Sequence, residues 1–113
     1  MESQIKLNNE RLELLAKFGQ ALPDLRALQI ALGEEVYKDG ALSTKVKRLI
    51  ALGIALRDGV TNCILGQTKR CLDAGATRDE LLETLAVEVA MSGTTGIAES
   101  LRVIKFLDEL GKL

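Results

Sequence analysis

The chain has 113 residues, 47 % apolar, 27 % charged and 3 % aromatic, with a formal net charge of −1. That length fits one domain spanning residues 1–113, able to bury about two-thirds of its unfolded surface. Charges of both signs are mixed along it, and Phe18, Tyr37 and Phe106 are its only aromatic residues. This argues against nucleic-acid binding, which needs a basic footprint and stacking surfaces.

Further exclusions follow from single residue types. No apolar run approaches the roughly 20 residues of a membrane span. The opening "MESQIKLNNER" is polar and mixed in charge, unlike a secretory signal. Two cysteines without an export signal point to a reducing compartment, the cytoplasm by default. Histidine is absent, which removes Ser-His and Cys-His nucleophile pairs and any His-ligated metal site. No cofactor or metal is expected.

In chain order, every segment reads as helix. A first helix is expected over about residues 8–20, with Leu12, Leu15 and Ala16 on one side. "LPDLRALQIALGEEVYKDG" is a second, with Pro23 near its first turn, Gly40 beyond its end, and an apolar stripe of Leu25, Leu28, Leu32 and Val36. A third opens at Ser43 or Thr44, both good N-caps. From Leu49 to Leu56 it is apolar on every side ("LIALGIAL"), the pattern of a helix covered all round. The stretch "DGVTNCILGQTKRC" belongs to a fourth, ending at Gly75. "ATRDELLETLAVEVAMSG" is the fifth, where Thr77 and Glu80 form a capping-box pattern. The last follows a Gly93–Gly96 turn, with Glu99, Arg102, Lys105 and Glu109 as its solvated face. Strand and hairpin signals are missing, so the fold class is all-α, about six helices. Five short helices can scarcely cover the third and still bury their own stripes. Surplus apolar surface of that kind marks an interface, so a homo-oligomer is expected.

The fourth helix carries both thiols. At a 3.6-residue period Val60, Cys63, Ile64, Gln67 and Cys71 share a face, while Thr61, Thr68, Lys69 and Asp73 lie elsewhere. Gln67 therefore interrupts an apolar stripe. It either bonds a neighbouring backbone carbonyl or faces a polar pocket. Cys63 and Cys71 lie about 12 Å apart along the helix, too far for the 4.4–6.8 Å Cα separation of a disulfide. A buried free cysteine behaves as a small hydrophobe, which is the reading for Cys71; for Cys63 a core role and a functional role both stand.

The stretch "GALSTKVKRLIALGIALRDGVTNCILGQTKRCLDAGATRDELLETLAVEVAMSGTTGIAESLRVIKFLDEL" resembles the carboxymuconolactone decarboxylase / AhpD-like family. The similarity runs from about residue 23 to 110 and is most specific in the "KVKRLIALGIA" helix and in "AGATRDELLETL". It implies an AhpD-like helical domain assembled as hexamers built from dimers, or as trimers. In the redox branch of that family the pattern E-x11-C-x2-C-x3-H supplies a dithiol pair and a proton relay. Laid on this chain the pattern reads Arg48, Val60, Cys63 and Gln67. The second cysteine is kept, while the first cysteine, the glutamate and the histidine are replaced. An intramolecular dithiol cycle is therefore excluded, and the decarboxylase branch's histidine chemistry is missing too.

Cys63, Arg48 and Gln67 are the candidate site. Arg48 shares a helical stripe with Leu52, Ala55 and Leu56, so it does not point freely to water. Beside Cys63 its guanidinium would favour the thiolate and attract an anionic ligand or small thiol, with Gln67 hydrogen-bonding that ligand. The competing arrangement is an Arg48–Glu88 salt bridge. Three functions follow: a one-cysteine thiol protein with antioxidant, peroxiredoxin-type activity; a non-catalytic oligomeric binding or scaffold protein; or a decarboxylase-like enzyme holding a small carboxylic acid at Arg48.

Overall fold

The computed structural model describes residues 1–113 and contains six α-helices and no strand. They are α1 (Gln4–Ala21), α2 (Pro23–Tyr37), α3 (Thr44–Asp58), α4 (Thr61–Asp73), α5 (Arg78–Ser92) and α6 (Thr94–Glu109). No helix is long and apolar enough to cross a membrane.

Local chemistry sets most of the boundaries. Pro23 opens α2 at a position where a missing N–H costs nothing. The Ser43 hydroxyl accepts from the Val46 backbone N–H at 3.1 Å to cap α3. Gly59 closes α3 at φ 72°, a left-handed conformation that glycine adopts without strain. At α5 the capping box is complete: the Glu80 N–H donates to the Thr77 hydroxyl at 3.1 Å, and the Thr77 N–H donates to the Glu80 carboxylate at 2.9 Å.

Two boundaries differ from the sequence expectation. α1 begins at Gln4 rather than near residue 8, because the Ser3 hydroxyl caps it by accepting from the Lys6 N–H at 3.2 Å. Gly96 is not part of a turn but lies within α6. A Cβ there would meet the Glu88 carbonyl oxygen and Val89 Cα of α5 at 3.0 Å, so glycine lets these two helices cross in close contact.

The core is gathered by α3 to α6. Leu52, Ala55 and Leu56 of α3 meet Ile64 and Cys71 of α4, Leu81 and Leu85 of α5, and Val103 and Leu107 of α6. Thr68, which the helical wheel set apart from this face, is fully buried; its hydroxyl donates to the Ile64 carbonyl at 2.8 Å. The last helix's polar side is not simply solvated either. Glu109 accepts from the Ser3 hydroxyl and, at 2.6 Å, from the Gln4 N–H, while Arg102 donates to Gln4 Oε1 at 3.4 Å. These bonds dock the start of α1 on α6.

The helical hairpin α1–α2 is built differently. The only buried residues of α1 are Gln4 and Asn8, and α2 buries none. Leu12 and Ala16 are exposed, and so is the whole α2 stripe, with Leu28 68 % and Leu32 64 % accessible. The Cα radius of gyration, 14.3 Å, exceeds the about 13 Å of a compact domain near this size. The hairpin leans on the core rather than joining it. Nor is α3 covered all round: Ile50 and Ile54 are exposed, beside Val87 and Met91 of α5. The all-apolar segment has one face in the core and one face outward.

Candidate functional site

Between the hairpin and the core lies a cleft formed by two adjoining cavities of about 640 and 470 Å³. Arg26, Gln29 and Arg70 border both. Cys63 and Gln67 line the smaller, together with Arg11 and Asn62; Arg48 and Tyr37 line the larger.

The two thiols of α4 have opposite environments. Cys63 sits in the first turn of the helix and is exposed. Cys71, two turns on, is fully buried; desolvation pushes its thiol up to about 11, with Arg48 opposing the shift. The core-cysteine reading holds for Cys71. Cys63 is open to reaction.

Arg48 is not the cation beside Cys63. It stacks on the Tyr37 ring, 3.4 Å from Cζ to the centroid, and the thiol whose field it feels is Cys71. The alternative salt bridge is absent as well: Glu88 is buried toward the α3–α5 side, bordering a separate cavity with Arg57, Thr84 and Met91. One half of the expectation stands, since Arg48 is half-buried rather than free in water.

The cation that reaches Cys63 is Arg11, which sequence reasoning did not single out. Its Nε donates to Asn8 Oδ1 at 2.9 Å, which fixes the guanidinium plane. That plane lies against α4 at Gly66, where an added Cβ would stand 3.2 Å from Arg11 Cζ. Burial, followed by the neighbouring Arg70 charge, presses Arg11 below its ordinary value, and Cys63 acts in the opposite sense. A glycine inside a helix often marks close approach of another group. Gly66 was therefore the one available sign of Arg11's seat.

Gln67 is half-buried on the cleft wall, and its buried Oε1 has no hydrogen-bond partner. It does not bond a backbone carbonyl, so it faces the pocket. The structure thus brings Cys63 and Gln67 to one cavity and sets Arg48 in the next.

Comparison with known proteins agrees with this architecture. Residues 23–106 match the carboxymuconolactone decarboxylase family. The chain belongs to that family. An uncharacterized protein of Cupriavidus necator is 33 % identical over 92 residues, 81 % of each chain. A second uncharacterized protein, encoded in the cox locus of Paracoccus denitrificans, is 32 % identical over 81 residues, 72 % of this chain and 73 % of that one. The crystal structure of an apo carboxymuconolactone decarboxylase family protein from Legionella pneumophila superposes with a TM-score of 0.89 at 30 % identity, covering 99 % of this chain and all of that one. That superposition includes α1, which precedes the family-matched segment. Fold and family are therefore established.

Proposed function

We propose that this family member is a one-cysteine thiol protein with peroxiredoxin-type activity, using Cys63. The observation that carries the reading is the contrast within α4: Cys63 is exposed in an arginine-lined cavity, while Cys71 is buried with its thiol pushed up to about 11. In such a cycle the Cys63 thiolate attacks the distal oxygen of a hydroperoxide. The O–O bond breaks, Cys63 becomes a sulfenic acid, and the alkoxide leaves as the alcohol after taking up a proton. Cys71 cannot resolve it, being about 12 Å away along the same helix. An outside thiol therefore condenses with the sulfenic acid, releasing water and leaving a mixed disulfide. A second thiol then restores Cys63 and releases the outside disulfide. A reducing cytoplasm supplies such thiols.

The test is peroxide consumption with a small thiol as reductant, alongside mass spectrometry of the peroxide-treated protein. Oxidation confined to Cys63, with turnover lost in Cys63→Ser and kept in Cys71→Ser, is expected. Turnover that survives Cys63→Ser would overturn the role of Cys63, and absence of turnover in the wild type would leave the binding or scaffold reading in its place. An intrachain Cys63–Cys71 disulfide in folded protein would contradict the cycle directly.

We also infer that the chain assembles with copies of itself, as hexamers built from dimers or otherwise as trimers. Two disjoint apolar faces support this: the α2 stripe, and the α3–α5 face of Ile50, Ile54, Val87 and Met91. A dimer-based hexamer needs two distinct interfaces. Sedimentation that returns a monomer at micromolar concentration would overturn it.

A further inference from the structure

The cleft is more basic than a neutral chain leads one to expect. Four of the seven arginines line its two cavities: Arg11, Arg26, Arg48 and Arg70. None of the four forms a salt bridge, although other arginines and lysines supply the five ion pairs present; one of these, Lys38, also borders the larger cavity and is paired with Glu35. The smaller cavity has no acidic residue in its lining, and the larger has only Glu34.

Three of the four guanidinium groups are held by neutral neighbours instead. Arg11 is bonded to Asn8, Arg26 Nη1 donates to Gln29 Oε1 at 3.0 Å, and Arg48 lies on Tyr37. Neutral partners fix orientation and leave the charge uncompensated. Arg70 adds to the repulsion, lowering both Arg11 and Arg48 after burial has done so. Like charges gathered in a half-buried cleft without counter-charges are destabilising on their own.

Gln67 is an independent pointer to the same place. Its buried Oε1 has no partner, and an amide left so is costly by about 1–3 kcal/mol. Its Nε2 is not buried, so on the cavity wall the amide already presents a donor.

We propose that this cleft binds a small ligand bearing two or more phosphoryl groups, with Arg70 and Arg26 between them, Arg11 and Gln67 at one end and Arg48 at the other. Guanidinium groups match phosphate oxygens in bidentate geometry. Each phosphate ester carries about −1.5 to −2 charges, so two of them balance four arginines. A single carboxylate brings one charge and leaves most of the cluster unanswered. Nothing in this depends on Cys63 reacting, because binding is read on reduced protein with no peroxide present.

The test is calorimetric titration of the full chain with pyrophosphate at low salt, with citrate and acetate as carboxylate probes. Pyrophosphate is expected to bind saturably, at least about tenfold tighter than citrate, and to raise the melting temperature. Arg70→Gln should weaken it by about tenfold or more. Lys69→Gln removes the same charge one residue away, from an exposed side chain paired with Asp73, and should leave binding unchanged. Gly66→Ala keeps every charge, favours the helix, and makes Arg11 give way by a few tenths of an ångström; it should weaken binding less than Arg70→Gln does. Absence of saturable pyrophosphate binding would overturn the proposal. So would tighter binding of citrate, or an equal loss in Lys69→Gln and Arg70→Gln.

Discussion

The two walls of the cleft are made by opposite means. One wall belongs to α3–α6, where leucine, isoleucine and valine fill a shared core and Leu52, Leu81 and Val103 have no accessible surface. The other is the α1–α2 hairpin, whose buried residues are Gln4 and Asn8 and whose α2 leucines are exposed. Cys63, Gln67, Arg48 and Arg70 ride on the first wall; Arg11, Arg26 and Gln29 ride on the second. Apolar packing makes a wall rigid, whereas a wall held by a few polar bonds opens at lower free energy. The thiol and Gln67 thus ride on the packed wall, and the cation beside them on the wall with few buried residues of its own.

Core and hairpin substitutions give the largest separation. Phe106→Ala, at a 2 % accessible site in α6, should cost about 3–5 kcal/mol in denaturant unfolding. Leu28→Ala in α2 should stay within about 0.5 kcal/mol if the chain unfolds as a monomer. A loss of more than 1 kcal/mol at Leu28 would show that the α2 stripe is covered by another copy, and would sharpen the comparison into one between two cores.

The same contrast decides what could be read from the sequence. The α3–α6 wall was legible because apolar periodicity reports burial directly: the capping box of α5, the Ser43 cap and the core role of Cys71 all follow from local pattern. The hairpin was not, since its stripe of Leu25, Leu28, Leu32 and Val36 has the periodicity of a buried face and lies exposed in the protomer. Periodicity shows that a face is apolar, not what covers it. The start of α1 was missed for the converse reason, as its buried residues are polar and carry no hydrophobic signal. Arg11, Arg26 and Arg70 come from three helices and converge only through tertiary packing, so no spacing within the chain connects them. Arg48 was placed on the right stripe and beside the wrong cysteine: a helical wheel gives direction about an axis, but not which of two thiols on the facing helix lies opposite.

Reactivity separates the two thiols next. Cys63 should be alkylated by iodoacetamide on the order of 100-fold faster than Cys71 at pH 7, because Cys71 must await an opening of the core. Equal rates would mean that α4 itself frays and that the rigid wall is not rigid.

A smaller effect tests the hairpin wall. Iodoacetate is anionic and iodoacetamide neutral, so the ratio of their rates at Cys63 reads the local field rather than accessibility. Arg11→Gln should lower that ratio by a factor of several, while Arg48→Met should leave it nearly unchanged, since Arg48 is held on Tyr37. The opposite ranking would return Arg48 to the side of Cys63.

The smallest effect lies where the hairpin is fastened. Glu109 receives the Ser3 hydroxyl and the Gln4 N–H at the N-terminal end of α1, a position where a carboxylate also faces the positive end of the helix dipole. The Ser3 bond is the main cause that holds its carboxyl below the ordinary value of 4.5; desolvation opposes it, and the Gln4 N–H and Lys105 add to the lowering. A depressed carboxyl contributes stability that is fully present above its unfolded value and is lost as pH falls through its folded one. The docking of α1 should therefore weaken as pH drops below about 4.5. Glu2, Asp39 and Glu80 are shifted the same way, so the whole chain loses stability over that range. Glu109→Gln isolates the fastening: above pH 5 it should speed hydrogen exchange in the first turns of α1 relative to wild type, and the difference should shrink as the Glu109 carboxyl protonates at acid pH. Exchange in α3 should not change at either pH. If α3 amides responded together with those of α1, the hairpin and core would be one cooperative unit, and the two walls of the cleft would move as a single body.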